Sequence, residues 1–220
     1  MIFYSNRHGT LVRTEWASGQ PIPEDVIWLD LFAPTKEEEK LVEAFLGMGI
    51  PTHEEMAEIE LSSRLYQEHG AQFMTASMLS KVDTGAPETH AVTFILLGTR
   101  LVTIRYVETT SFRRFSNAVM KLHAEEDGAM LFLLLIDTII NRVADILERL
   151  DREIDEITKL IFRRDAVAKA SSDLDYQNVL EKIGRCGDLA SKIHESLITF
   201  GRVAGYATHN KKLAHGENEV

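Results

Sequence analysis

A chain of 220 residues can build one large domain, or a domain with an appendage. Hydrophobic residues make up 45% of it and charged residues 26%, an ordinary soluble balance with enough apolar residues for a real core. The net charge of -10 repels nucleic acid and anionic lipid headgroups and attracts cations, which sets DNA and RNA binding aside.

Residues 1–107 read mainly as strands. The start, MIFYSNRHGT, lacks a charged beginning followed by an apolar run, so it is not a secretory signal. Ile2–Tyr4 and Leu11–Thr14 flank the turn-like Asn6-Arg7-His8-Gly9 and predict a hairpin. Gly19–Pro23 is a loop, and Val26–Leu31 is a short apolar strand that stops before Pro34. Thr35-Lys36-Glu37-Glu38 is a capping box, opening a helix that buries Leu41, Val42, Phe45 and Leu46 and ends near Gly47–Gly49. Thr52-His53-Glu54-Glu55 repeats that signal before a short helix. Ser63–Gln67 reads as a strand, His69-Gly70 as a turn and Gln72–Val82 as a longer strand. After the loop Asp83–Thr89, His90–Leu97 and Leu101–Val107 form a second hairpin across Gly98-Thr99-Arg100.

From Ser111, a candidate cap, the period turns helical: Phe112, Phe115, Val119 and Leu122 share a face until Asp127-Gly128 breaks it. A helix of about 35 residues follows, far above the usual mean, ending near Phe162–Asp165. A polar stretch at Ser171-Ser172-Asp173, with Asp173 as cap, precedes the last helix, and the tail from His209 is polar and frayed. Both helices carry seams stepping in threes and fours. One runs Ile136, Ile140, Val143, Leu147, Leu150, Ile154, Ile157, Ile161; the other runs from Tyr176 and Val179 through Ile183, Cys186, Ala190, Ile193 and Leu197 to Phe200 and Ala204. That spacing lays apolar side chains along one stripe, as in a coiled coil or helical hairpin. The expected fold is α+β: an α/β/α sandwich with a mixed sheet at 1–126, then long antiparallel, coiled-coil-like helices at 127–220. The longest apolar run, Met130–Ile136, falls short of the roughly 20 residues a spanning helix needs.

No nucleotide-binding glycine loop, HExxH motif or cysteine pair is present. The eight histidines lie at no ligand spacing, and Ser62, Ser63, Ser77 and Ser80 have no elbow motif around them, so no enzyme is expected. Cys186, the single cysteine, can form no internal disulfide and sits on the second seam, where a buried packing role in a reducing compartment is expected. Gly184, Gly187, Gly201 and Gly205 interrupt the last helix, either as a hinge or, the reading favoured here, where a neighbouring helix comes close. The chemical signal is acidic. Glu54, Glu55, Glu58 and Glu60 cluster with no basic residue before Arg64, and carboxylates are the ligands that Mg2+ and Ca2+ prefer. Glu148, Asp151 and Asp155, with Asp145, Glu153 and Glu156, are interleaved with Arg149, Arg152 and Lys159, so that face reads as ordinary helix pairing.

VIWLDLFAPTKEEE (26–39) followed by IPTHEEMAEIELSSRLYQEHG (50–70) resembles the cytoplasmic domain of the CorA-type divalent metal ion transporters, which include ZntB-type zinc transporters. LLLIDTIINRVADILERLDREIDEI (133–157) is similar to that family's first long helix, and EKIGRCGDLASKIHESLITFGRV (181–203) to the start of its stalk helix. The resemblance implies a homopentamer on the cytoplasmic face of the cell membrane, with the stalk helix entering the membrane as the pore. It further implies transport of Mg2+ or another divalent cation such as Co2+ or Zn2+, and a regulatory divalent site between neighbouring subunits that favours the closed state. The acid on the short helix after the proline matches Glu58, with Glu55 beside it in that site. Asp is commoner there than Glu. The partner carboxylate lies further along the stalk and has no match before Val220. The chain also lacks membrane helices and the Gly-Met-Asn of the outer mouth, so a piece cut within the stalk is expected. The alternative is a soluble oligomeric scaffold that assembles through its helical hairpin.

Overall fold

A computed structural model describes residues 1–7, 10–121, 127–162 and 176–216. Seven strands form one sheet: β1 Ile2–Arg7, β2 Thr10–Glu15, β3 Val26–Phe32, β4 Leu65–Glu68, β5 Ala71–Ser80, β6 Glu88–Leu97 and β7 Arg100–Arg105. Their spatial order is β2-β1-β3-β7-β6-β5-β4. Short connections pair neighbours antiparallel, whereas β3 and β7, far apart in sequence, lie parallel with Trp28 opposite Leu101. The sheet is therefore mixed, as expected.

Both faces of the sheet are covered. On one face Val42, Leu46, Met48, Ile50 and Met56 pack against Leu29, Leu31, Phe73, Ile95 and Val102. On the other Phe112, Phe115, Val119, Phe132 and Phe200 meet Tyr4, Trp28, Met74, Phe94 and Leu101. Tyr4 stacks on Trp28 at 4.3 Å between ring centroids, and Phe115 meets Trp28 edge-on at 5.1 Å. Helices on both faces make the α/β/α sandwich that the sequence predicts. Across β3 and β7, Arg105 binds Asp30 with both arms, its Nη2 2.8 Å from Oδ2, and lies between the rings of Phe32 and Phe112. The pair is buried, and Thr103 gives Asp30 a further hydrogen bond at 2.8 Å.

The helices start where the sequence places caps, with two corrections. α1 (Lys36–Leu46) opens on the full Thr35/Glu38 capping box and closes on Gly47 in the left-handed region (φ 72°), which glycine adopts without a Cβ clash. α2 (His53–Met56) opens on the Thr52/Glu55 box. Ser63 belongs to a helical turn, α3 (Leu61–Arg64), so β4 starts at Leu65; the Ser63 amide bonds back to the Glu60 carbonyl and winds the chain there. α4 (Thr110–Val119) is capped by Thr109, whose Oγ1 accepts from the Phe112 amide, and Ser111 is buried in its first turn. A cap side chain serves the amide two or three residues on, and here Thr109 serves Phe112, which enters the core, while Ser111 already lies inside the first turn.

α5 (Gly128–Phe162) runs 35 residues. Asp127 does more than break the preceding helix: its Oδ1 accepts from the Met130 amide at 2.8 Å and starts α5. The Gly128 amide donates to the Thr99 carbonyl at 2.7 Å, and a Cβ there would lie 2.5 Å from the Leu101 nitrogen. α6 (Tyr176–Gly216) continues past His209, where a frayed tail was expected. Leu122, Ser171, Ser172 and Asp173 lie outside the described residues.

The two long helices run antiparallel. Leu131–Ile139 of α5 share the sheet core with Phe200 and Val203 of α6, while Val143, Ile146, Leu150 and Ile157 meet Cys186 and Ile193 beyond it. Each seam splits. On α5 the inner half, Ile136, Val143, Leu150 and Ile157, is buried, but Leu133, Ile140, Leu147, Ile154 and Ile161, seven residues apart, stay 36% to 50% exposed. On α6 Cys186, Ile193 and Phe200 point in, and Tyr176, Ile183 and Ala190 point out. Helical period counts the rows and does not say which row meets the sheet. The α6 glycines correct another expectation: a Cβ at Gly184, Gly187, Gly201 or Gly205 would meet nothing within 4 Å among the described residues, so no helix approaches them closely. No described helix is long and apolar enough to cross a membrane.

Candidate functional site

The acidic segment is α2 and the turn behind it, set at one edge of the sandwich. Met56 is 1% exposed and buries α2 in the core. The His53 ring lies 4.0 Å from that of Tyr106 just after β7. Everything else on α2 faces solvent.

Glu55 is committed to structure. Its Oε2 accepts from the Thr52 amide at 2.7 Å and the Thr52 hydroxyl at 2.9 Å. Those two bonds hold its carboxyl below the usual glutamate range. It can offer an ion only its other oxygen without uncapping α2.

Glu58 differs. Its carboxylate has no hydrogen bond or ion pair among the described residues, and its side chain is exposed. Its backbone is fixed, because the Glu58 carbonyl accepts from Arg64 Nε and Arg64 Nη1 donates to Ser77 Oγ on β5 at 3.2 Å. Arg64 thus directs its Nε and Nη1 to a carbonyl and a hydroxyl and makes no ion pair with Glu58 among the described residues. Ile59 beside it is 91% exposed, an apolar side chain with nothing covering it. Glu54 and Glu60 are also exposed and carry no ion pair among the described residues. Burial first, then the charges of Glu39 and Glu54, raises the Tyr106 phenol; burial first, then Glu68 and Glu55, raises Tyr66. The structure keeps Glu54, Glu58 and Glu60 as free hard-oxygen donors and takes Glu55 partly out of use. Among the described residues no three acidic, histidine or cysteine side chains of one chain close around a common point. Mg2+ and Ca2+ require about six oxygen ligands, so water or a second subunit must complete any such site.

The acids of α5 behave as a paired face in part. Asp145 reaches Arg114 at 3.5 Å and Asp155 reaches Lys159 at 3.9 Å. Arg149, expected to pair along the helix, instead leaves it and joins Arg142 on Asp83, at 2.7 and 2.9 Å. Sequence reading placed Asp83 in a loop and missed this clamp, because no local signal links residues 66 positions apart. The thiol of Cys186 is buried, and burial first, then the Glu153 charge, pushes its pKa up, which suits packing and not nucleophilic attack.

Comparison with known proteins follows the same outline. The model of a family described as "CorA-like Mg2+ transporter protein" matches residues 23–204. The magnesium transport protein CorA of Campylobacter jejuni subsp. jejuni is 26% identical over 188 residues, which are 81% of this chain and 55% of that protein. The chain thus spans about half the length of that relative. The soluble domain of CorA from Methanocaldococcus jannaschii superposes with a TM-score of 0.65 at 19% identity, covering 92% of this chain and 77% of that one. The ZntB cytoplasmic domain from Vibrio parahaemolyticus superposes with a TM-score of 0.54 at 10% identity, covering 100% of this chain and 98% of that one. At these identities the superpositions establish a shared fold.

Proposed function

Because the chain belongs to the CorA-like Mg2+ transporter protein family, we propose that it is the cytoplasmic, regulatory part of a homo-oligomeric divalent-cation transporter at the cell membrane. Transport itself requires membrane-spanning segments beyond the described helices. The cargo is Mg2+ in this reading, by analogy with the magnesium transport protein of Campylobacter, and Co2+ and Zn2+ are the ions to compare with it.

The observation that carries the regulatory role is the Glu58-Ile59 step. A rigidly held backbone presents an unpaired carboxylate and a bare apolar side chain side by side. A neighbouring subunit can cover the apolar group and supply further oxygens to an ion on Glu58, with Glu54 or Glu60 nearby and Glu55 contributing its spare oxygen. The free carboxylates fit a hard cation. When bound, the ion supplies positive charge between acidic faces that otherwise repel. These residues contribute negative charge, a fixed backbone and a contact surface, and loss of the ion leaves the subunits to separate.

The test is titration of Mg2+ into the natural gene product in membranes, followed by limited proteolysis. Protection should rise through the millimolar range, and Glu58→Gln should remove that rise while leaving the fold intact. Unchanged cleavage throughout the range defeats the regulatory reading.

A second reading has its own support. The outward rows of α5 and α6 are apolar and uncovered, as in a scaffold that assembles through its helices without ions. Sedimentation with Mg2+ and with EDTA separates the two: an oligomer indifferent to EDTA favours the scaffold, and one that dissociates favours the ion-dependent assembly.

A further inference from the structure

A cavity of about 210 Å³ opens between the end of β5, the start of α4 and the side of α5. We infer that it binds a small oxyanion, of the phosphate class, through Ser80, the first turn of α4 and Arg142.

The argument is a count of donors and acceptors. Ser80 lines the cavity, is 4% exposed, and its hydroxyl has no hydrogen-bond partner among the described residues. Buried hydroxyls without partners are uncommon, and each costs stability unless a ligand or water serves it. Thr110 and Ser111 also line the cavity and form the first turn of α4, a ten-residue helix. Thr109 caps only the Phe112 amide, so the two amides before it have no intrahelical acceptor. Arg142 uses one nitrogen on Asp83 and keeps further N–H groups. Both carboxylates in the wall already hold donors on each of their oxygens. Glu108 accepts from Arg105 at 3.1 Å and from the Thr109 amide at 2.9 Å. Asp83 accepts from Arg142 in the wall and from Arg149 outside it, two cations to one carboxylate, so its negative charge is offset at the Arg142 side of the cavity. Among the described residues the Ser80 hydroxyl, two helix amides and further N–H groups of Arg142 remain open, so the complement is a small group made of acceptors carrying negative charge.

Binding is tested on the ¹⁵N-labelled chain by titrating inorganic phosphate at constant ionic strength, with chloride as the control. The Thr110 and Ser111 amides should shift saturably with phosphate and not with chloride. Arg142→Gln should weaken binding by about tenfold and Ser80→Ala by a few-fold. Ser80→Ala removes a hydroxyl that bonds to no described residue, so it tests the site even if the arginine variant is unstable. A parallel titration with glycerol 3-phosphate separates the sources: tighter binding than phosphate points to a phosphorylated metabolite or headgroup, and equal or weaker binding to the free anion. No saturable shift, or equal affinity in the wild type and Ser80→Ala, overturns the site.

Discussion

Arg64 donates its Nε to the main-chain carbonyl of Glu58 and leaves the Glu58 carboxylate unpaired. Arg64 therefore positions the acid's backbone without pairing with its charge. An ion pair there would have satisfied both charges and closed the site to metal.

Removing each partner should have opposite consequences. Arg64→Ala should loosen the Glu58 turn and raise amide exchange at residues 57–60, with a global loss of about 1–2 kcal/mol. Glu58→Gln should leave exchange and stability unchanged and remove only the response to Mg2+. Hydrogen exchange by mass spectrometry, with and without the ion, reads both.

The buried Asp30–Arg105 pair should be the most sensitive point of the sheet. Asp30→Asn removes the buried charge opposite Arg105 and leaves the guanidinium only the half-exposed Glu108 as a charged partner, and breaking such a buried pair costs about 3–5 kcal/mol. Urea denaturation should show that loss; a change below about 1 kcal/mol would mean that water reaches Arg105.

Glycines of the two long helices should diverge. Gly128→Ala forces a methyl into the Arg100–Leu101 backbone and should destabilise by about 1–3 kcal/mol. Gly187→Ala and Gly201→Ala meet open space and should each stabilise by about 0.5–1 kcal/mol through helix propensity. Thermal melts of the three variants compare them directly, and a destabilising Gly187→Ala would reveal a contact that the single chain does not show.

Acid should release the Asp83 clamp. The hydrogen bond from Arg149 first, against some burial, and then the charges of Arg142 and Arg149 hold its carboxyl below the ordinary value of 3.8. A carboxyl whose folded pKa is lowered stabilises the fold above its unfolded value, and that contribution is lost as the pH falls through the folded one. Melting temperature should therefore drop more steeply for the wild type than for Asp83→Asn below about pH 4. Parallel curves would show that the clamp contributes nothing measurable to stability.

The parts legible in the sequence were the local ones. Thr35/Glu38 and Thr52/Glu55 caps, the length of α5 and the two hairpins all rest on signals within a few residues. The split of the Ile136–Ile161 seam was not legible, because burial of Val143 beside exposure of Leu147 depends on where α6 and β5 lie. Glu55 and Glu58 looked alike as acids; only the folded backbone shows one closing a capping box and the other free. Ser80 and Arg142 stand 62 positions apart in a cavity that no motif announces, and Arg149 reaches Asp83 for the same non-local reason.

The row from Leu133 to Ile161 has a further geometric consequence. A strict seven-residue repeat slips by about 20° per heptad around a straight α-helix, so its two ends face directions about 80° apart. A flat surface, such as a bilayer, can cover only a part of such a row. Whatever shelters all five side chains must coil around α5 with a left-handed twist, which makes another helix the fitting shape.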